Sequence, residues 1–380
     1  TIHEERRQQP LSVNQNANLY YTLNEKNIFS VEAQYLYQNE DPFYNAVRAE
    51  QPFAGLLPTD DLQSNYNLSQ ERFIKTNKLE AKADYYYITG PKSNINFTLG
   101  TTLSRQDFNS GIFQVLDDAS RLTFTEESFN NDVSFNFTDA YLGFHYKVIS
   151  GIFTFNPGVT VHSYTATNRQ LGTSVSDRLF NIVPDVYINV QLKKSENLRF
   201  NYTVTRAFTD ITNFASGYIF NNYNSLYQGN RALESALYHN ISLNYFSFNM
   251  FNYTNIFANL SYNRRIDPLK NNSTIIGINQ VNSTANSNFA DDVITASGRF
   301  ERTFNKIKAA ARTNISYSRL NNIINAEQRI SESLTQTYRL SFSTNFRKAP
   351  NVEIGYNYTT NNYDNGRITS KFYTDRPFVK

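Results

Sequence analysis

Alternation of apolar and polar residues with a period of two runs through this chain from end to end, and no apolar run is long enough for an α-helix to cross a bilayer. Ile256, Ala258, Leu260 and Tyr262 alternate with Asn255, Phe257, Asn259, Ser261 and Asn263. Leu198, Phe200, Tyr202 and Val204 alternate with Arg199, Asn201, Thr203 and Thr205. The same pattern occupies 182–192, 352–359 and 78–85. Successive side chains of a strand point to opposite faces, so each segment reads as a strand with one apolar and one polar side.

The connections also alternate. Short turns are expected near 24–27, 90–93, 150–151, 193–196, 249–251, 305–306 and 347–350. Long polar connections are expected over 39–68, 107–131, 168–179, 208–234, 266–290, 319–330 and 361–368. The count is about 14 strands, with the start of another at Thr369 to Tyr373. Tyr44 to Glu50 and Ala232 to Leu237 are expected to form short helical turns. Short turns at one end and long loops at the other, joined by alternating strands, is the pattern of an outer-membrane barrel. In hydrocarbon every backbone polar group must be paired, and a closed sheet achieves this without an edge. Soluble β-helices, propellers and sandwiches predict fixed repeats or shorter strands.

Composition supports this reading. Tyr (27) and Phe (30) supply all the aromatics, and charged residues are only 18% of the chain. Aromatic girdles are expected at Tyr20-Tyr21, Tyr85 to Tyr87, Phe153 with Phe155, and Phe246, Phe248 and Phe251. A net charge of +3 is too small to point to nucleic acid, and the lack of cysteine excludes disulfides and thiolate metal sites. Repeated Asn-x-Ser/Thr triplets, such as Asn96-Phe97-Thr98, Asn201-Tyr202-Thr203, Asn259-Leu260-Ser261 and Asn314-Ile315-Ser316, follow from a polar strand face rather than from glycosylation.

Few residues suggest chemistry. His145 and His162 fall on the polar faces of adjacent expected strands, but no Ser/Asp partner has a recognisable spacing. Asp60-Asp61, Asp117-Asp118 and Asp291-Asp292 lie in or beside loops and fit no EF-hand spacing; solvated loop charge accounts for them. No catalytic residue, metal or cofactor is assigned, and the chain is not expected to be an enzyme. The segment 208–234 is the candidate ligand-contact loop, through Phe214, Tyr218, Phe220, Asn222, Tyr223, Asn224 and Tyr227. Aromatic faces for stacking and amides for paired hydrogen bonds suit sugars, peptides or organic chelates. The competing expectation is that this loop packs its aromatic area on neighbours at the barrel mouth.

The stretch from Tyr202 to Tyr245 resembles the C-terminal half of barrels in the TonB-dependent receptor family of Bacteroidota-type bacteria. Tyr202-Thr203-Val204-Thr205-Arg206-Ala207-Phe208 leads into the long loop, and Tyr227-Gln228-Gly229-Asn230-Arg231-Ala232-Leu233 closes it. A strand with His239-Asn240-Ile241-Ser242-Leu243-Asn244-Tyr245 follows. Arg231 stands where the family favours proline, and a Pro-Glu after the leucine is missing. The resemblance implies an all-β transmembrane antiparallel up-and-down barrel of 22 strands, filled by an N-terminal plug. It implies energy-coupled uptake of a siderophore, glycan or peptide nutrient. The implied partners are outer-membrane lipid, an inner-membrane energy-transducing complex contacted through the plug region, and a surface lipoprotein.

No plug-like domain and no coupling segment is recognised before Gln15, there is no signal peptide at Thr1, and Arg376-Pro377-Phe378-Val379-Lys380 lacks the usual terminal aromatic. Residues 1–380 are therefore expected to be one barrel domain of a mature form or fragment, without its plug. The alternatives are a complete barrel of 14 to 16 strands and a structural or secretion-type barrel that transports no small molecule.

Overall fold

A computed structural model describes residues 2–287, 289–324, 327–347 and 349–380. In chain order the strands begin with β1 (Ile2–Arg7), β2 (Leu11–Asn24), β3 (Asn27–Glu40), β4 (Phe43–Arg48), β5 (Tyr66–Gly90) and β6 (Ser93–Val115). Next come β7 (Arg121–Thr123), β8 (Asn130–Ser150), β9 (Phe153–Gln170), β10 (Thr173–Lys193) and β11 (Glu196–Ala207). A single helical turn, α1 (Ile211–Phe214), precedes β12 (Tyr218–Asn222), β13 (Ser225–Gln228), β14 (Ala236–Asn249) and β15 (Thr254–Ile266). The chain continues with β16 (Leu269–Ile276), β17 (Asn279–Asn286), β18 (Asp291–Phe304) and β19 (Ile307–Ile324). It finishes with β20 (Glu327–Thr344), β21 (Glu353–Asp364) and β22 (Thr369–Val379).

The wall is one antiparallel meander of fifteen strands among the described residues: β2, β3, β5, β6, β8, β9, β10, β11, β14, β15, β18, β19, β20, β21 and β22, each bonded to the next. The other strands extend or cover this wall at one end. Among the described residues, β2 pairs only with β3, and β22 only with β21.

Register turns the sequence alternation into continuous rows. Leu19, Val31, Ala83, Leu99, Leu142, Val161 and Ile182 are successive cross-strand partners on the apolar face. Leu99, Leu142 and Ile182 are 65%, 57% and 59% exposed, so this face has no protein cover. One row away run Tyr21, Phe29, Tyr85, Phe97 and Phe144. Their rings meet at 4.9 Å (Phe29–Tyr85), 6.4 Å (Tyr85–Phe97) and 5.3 Å (Phe97–Phe144), an aromatic belt on the outside.

The opposite face carries Asn189, Arg199, Asn244, Asn259, Ser297, Asn314, Thr337 and Thr359 in one register row. Asn259 Nδ2 donates to Asn244 Oδ1 at 2.7 Å, and the Thr337 and Thr359 hydroxyls meet at 3.3 Å. Phe246 falls on this polar face, in register with Asn197 and Phe257, and is not part of the outer belt. Cross-strand amide and hydroxyl pairs satisfy a wet interior as apolar pairs satisfy a lipid-facing one.

Several expected loops are strand. The expected long connection 168–179 is a hairpin, with β9 and β10 paired up to Gln170↔Thr173 around Leu171-Gly172. Residues 319–324 and 327–330 extend β19 and β20; 325–326 lie outside the described residues. Much of 361–368 likewise belongs to β21. The helical turn expected at Tyr44 to Glu50 is mostly β4, and Ala232 to Leu237 leads into β14; helical turns fall at α1 and, as a 3-10 turn, at Glu127–Phe129 instead. The reason is length. A tilted crossing needs about 9–11 residues, whereas β5 has 25 and β6 has 23. The excess stands above the membrane-sized band, where both ribbon faces can be polar and period two no longer marks a strand.

Candidate functional site

Buried apolar residues gather at the long-loop end in two clusters, and the segment 208–234 supplies side chains to both. Phe220 and Leu226 join Tyr44, Phe53, Leu68 and Ile112. Ile211, Phe214, Ala215 and Ile219 join Phe108, Val133 and Phe135. The hairpin β12–β13 therefore reaches the wall formed by β4, β5 and β6, and the loop forms a lid folded into the mouth.

Three wall amides hold the lid by its backbone. Gln70 donates to the Tyr218 carbonyl and accepts from the Phe220 N–H, both at 2.9 Å. Asn131 accepts from Gly217 N–H at 2.8 Å and donates to its carbonyl at 3.2 Å. Gln170 donates to the Phe214 carbonyl at 2.8 Å and accepts from Ser216 N–H at 3.1 Å. Each amide carries a donor and an acceptor, so it serves a passing backbone as a neighbouring strand would. The hairpin tip is held by charge: Arg6 donates to the Asn221 carbonyl at 2.8 Å, Arg48 donates to the Tyr223 carbonyl at 3.0 Å, and Tyr223 N–H donates to Glu4 at 2.9 Å.

The lid closes on itself at Gly229-Asn230. Gly229 N–H donates to the Ala215 carbonyl at 2.8 Å, and Asn230 N–H to the Asn213 carbonyl at 2.7 Å. A Cβ at position 229 would lie 2.5 Å from both of those carbonyl oxygens, so only glycine fits against α1. Arg231 donates to the Thr173 carbonyl at 2.8 Å, which ties the end of the lid to the β9–β10 turn.

The structure spreads the seven candidate ligand-contact residues through this lid. Phe214 and Phe220 are 8% and 2% exposed, so their rings are core rather than contact surface. Tyr218 and Tyr223 pack against the first cluster and Tyr227 against the second. Asn222 Oδ1 accepts from Asn224 N–H at 3.0 Å, and Asn224 Nδ2 donates to the Ile278 carbonyl at 2.8 Å. A second hairpin, β16–β17, lies beside the lid, with β17 parallel to β13.

Three cavities adjoin the lid. The largest, about 630 Å³, lies below it and is lined by Lys78, Glu80, Asp139, His162, Arg206 and Phe208 among others. Another of about 300 Å³ is bordered by Arg178, Phe208, Arg231 and Glu234, and a third of about 490 Å³ by Arg72 and several amides. Gln70, Arg72, Asn131 and Gln170 escape sequence reading, because an inward polar residue of a wet strand face carries no mark of its partner.

The histidines do not form a joint centre. His162 Nδ1 lies 3.0 Å from Asp139, with its ring stacked on Tyr141 and Tyr164 at 5.1 Å each. His145 Nε2 reaches 3.0 Å from Asp185, two strands away. It passes over Gly158, which is in register with both residues and where a Cβ would lie 2.1 Å from the imidazole. Gly158→Ala is expected to break this contact and cost about 1–3 kcal/mol by overpacking, checked by equilibrium unfolding in lipid vesicles.

The acidic pairs are engaged locally. Asp117 accepts from Ser64 N–H at 2.9 Å, and Asp291 pairs with Lys270 and accepts from Asn321 N–H at 2.8 Å. The Ser120 hydroxyl and N–H hold the Asp118 carboxyl below the usual carboxylate range. Among the described residues no three metal-binding side chains gather.

No family model and no curated protein sequence matches the chain. Solved structures do. The siderophore receptor PiuA from Acinetobacter baumannii superposes with a TM-score of 0.51 at 10% identity, over 98% of this chain and 63% of that one. The ferric-catecholate import receptor Fiu from K12 E. coli superposes with a TM-score of 0.52 at 9% identity, again over 98% and 63%. The fold is that of the TonB-dependent outer-membrane receptors. The chain thus spans about three fifths of the length of these receptors. In this receptor fold the apolar rows form the outside of the barrel, and the lid with its cavities occupies the long-loop mouth.

Proposed function

We propose that this chain is the wall and mouth of an outer-membrane receptor for energy-coupled uptake of a scarce nutrient of the siderophore, glycan or peptide class. The observation that carries the reading is the lid, which is folded into the mouth of a lipid-faced barrel and leaves polar cavities beside and beneath it. The clustered rings of Phe137, Tyr164 and Phe208 beside inward polar and charged side chains suit a ligand with both ring faces and polar groups. PiuA is a siderophore receptor and Fiu a ferric-catecholate import receptor, which supports nutrient uptake and, within it, the siderophore class.

In this reading the fifteen-strand meander is part of a 22-stranded wall, supported by β2 and β22 each having a single strand neighbour among the described residues. Its partners are outer-membrane lipid, an inner-membrane energy-transducing complex reached through a plug region, and a surface lipoprotein. The chain has no catalytic step of its own.

The test uses cells whose only copy of the full-length gene has 211–230 replaced by a short Gly-Ser link. Accumulation of one labelled nutrient among ferric catecholates, oligosaccharides and peptides is expected to fall to the level of a gene deletion, with the barrel still in the outer membrane. Accumulation of all three unchanged, in this variant and in the deletion, would instead favour a structural or secretion-type barrel.

A further inference from the structure

The cavity of about 490 Å³ between the lid, the β16–β17 hairpin and the β5 wall has an unusual charge balance. Its lining includes the amides of Asn213, Asn221, Asn271, Gln280 and Asn282 and one guanidinium, Arg72, but no carboxylate. Arg72 lies on the inward face of β5, two residues from the lid-clamping Gln70. Its side chain makes no hydrogen bond or ion pair with the described residues, and its Nε is shut off from solvent without a partner. The more deeply buried cations Arg48 and Lys270 have partners. Arg48 donates to the Tyr223 carbonyl and faces Glu50 at 3.9 Å, and Lys270 pairs with Asp291.

The surrounding charges do not neutralise Arg72. Arg6, a second cation on the inward face, donates to the carbonyl of Asn221, itself a lining residue, and has no carboxylate partner among the described residues. Glu4, the acid on the same face of that strand, already accepts from the Tyr44 hydroxyl and the Tyr223 N–H, and Glu5 on the other face pairs with Arg7. One guanidinium therefore lines a space edged by amides, a second is bonded to the backbone of a lining residue, and the inward-facing Glu4 is in use. A half-buried guanidinium without a counter-charge is costly to fold around, and a bound anion removes that cost while taking up its paired N–H donors.

We propose that this cavity is an oxyanion-binding site, with Arg72 as its anchor, selecting a polar ligand that carries a carboxylate, sulfate or phosphate group. The amides supply hydrogen bonds to the ligand's hydroxyl or carbonyl groups, and Arg6 adds positive potential at the rim. The site rests on the reading of the mouth as a capture surface and narrows the ligand's chemistry within it.

The experiment measures equilibrium binding to the purified full-length protein in detergent, by calorimetry, with glucuronate, glucose 6-sulfate, glucose 6-phosphate and glucose as probes. At least one anionic sugar is expected to bind about tenfold or more tightly than glucose at low salt, and less so at high salt. The three anionic arms show which oxyanion is preferred. Arg72→Gln is expected to remove the preference, and Arg72→Lys to restore part of it as a point charge without the fork. Arg121→Gln, at the outer rim where Arg121 pairs with Glu71 at 3.0 Å, is expected to leave it unchanged.

Equal binding of all four sugars by the wild type overturns the proposal, and so does a preference that survives in Arg72→Gln. If Arg72→Gln fails to fold, the wild-type comparison and the Lys variant still decide. Cellular accumulation plays no part in this readout, so the uptake reading and the oxyanion site can fail separately.

Discussion

Phe220→Ala is expected to release the lid from the mouth, costing about 3–5 kcal/mol of local stability. Phe220 is 2% exposed, and its ring lies 5.5 Å from Tyr44 and 6.3 Å from Phe53. Truncation leaves a ring-sized void in the cluster through which the β12–β13 hairpin packs on β4, β5 and β6. The wall itself is held by its own backbone ladder, so the loss should stay local. Hydrogen exchange should show it as protection at lid amides falling by about a hundredfold or more, with wall amides unchanged. Unaltered protection at 217–228 would show that the lid is held by something other than this cluster.

Leu142→Arg is expected to destabilise the whole barrel by about 2–4 kcal/mol when it folds in a bilayer. Leu142 is 57% exposed, between Leu99 and Val161 in the outer row, where a guanidinium would face hydrocarbon. Thr337→Arg, on the polar face, is expected to cost far less, because its row of Asn and Thr faces a wet interior. Reversible unfolding from lipid vesicles would measure both. Equal costs would mean that the two faces do not see different solvents.

The membrane-sized band was legible because lipid on one side and water on the other impose period two on every crossing; 198–205, 258–263 and 353–359 show it in β11, β15 and β21. Above that band water bathes both faces and the pattern loses its meaning. The β9–β10 hairpin was hidden because its turn places Leu171 at φ 53°, a left-handed conformation that leucine does not advertise. In β4, the alternately buried Tyr44, Ala46 and Arg48 follow strand spacing, yet their company of Asn45, Glu50 and Gln51 reads as a polar loop.

The lid was only half legible. Gly229-Asn230 stood out in the sequence as part of the segment that carries the family resemblance, and the structure shows the close approach to α1 that requires the glycine. Where the lid lands depends on Gln70, 150 residues from Phe220 in sequence, and on Asn131 and Gln170, which look like any inward amide. Contacts that form only when distant strands close into one wall leave no local pattern. Arg72 is hidden for the same reason, since its missing partner is a property of the assembled mouth.

The chain contains no cysteine, so single spin labels can be placed along β15 without removing any native thiol. With the protein in lipid vesicles, labels at 256, 258, 260 and 262 should be reached by dissolved oxygen. Those at 257, 259, 261 and 263 should be reached instead by a water-soluble nickel chelate, the two profiles alternating in antiphase. Profiles that rise and fall together, or that lack a period of two, would contradict a wall with lipid on one face and water on the other.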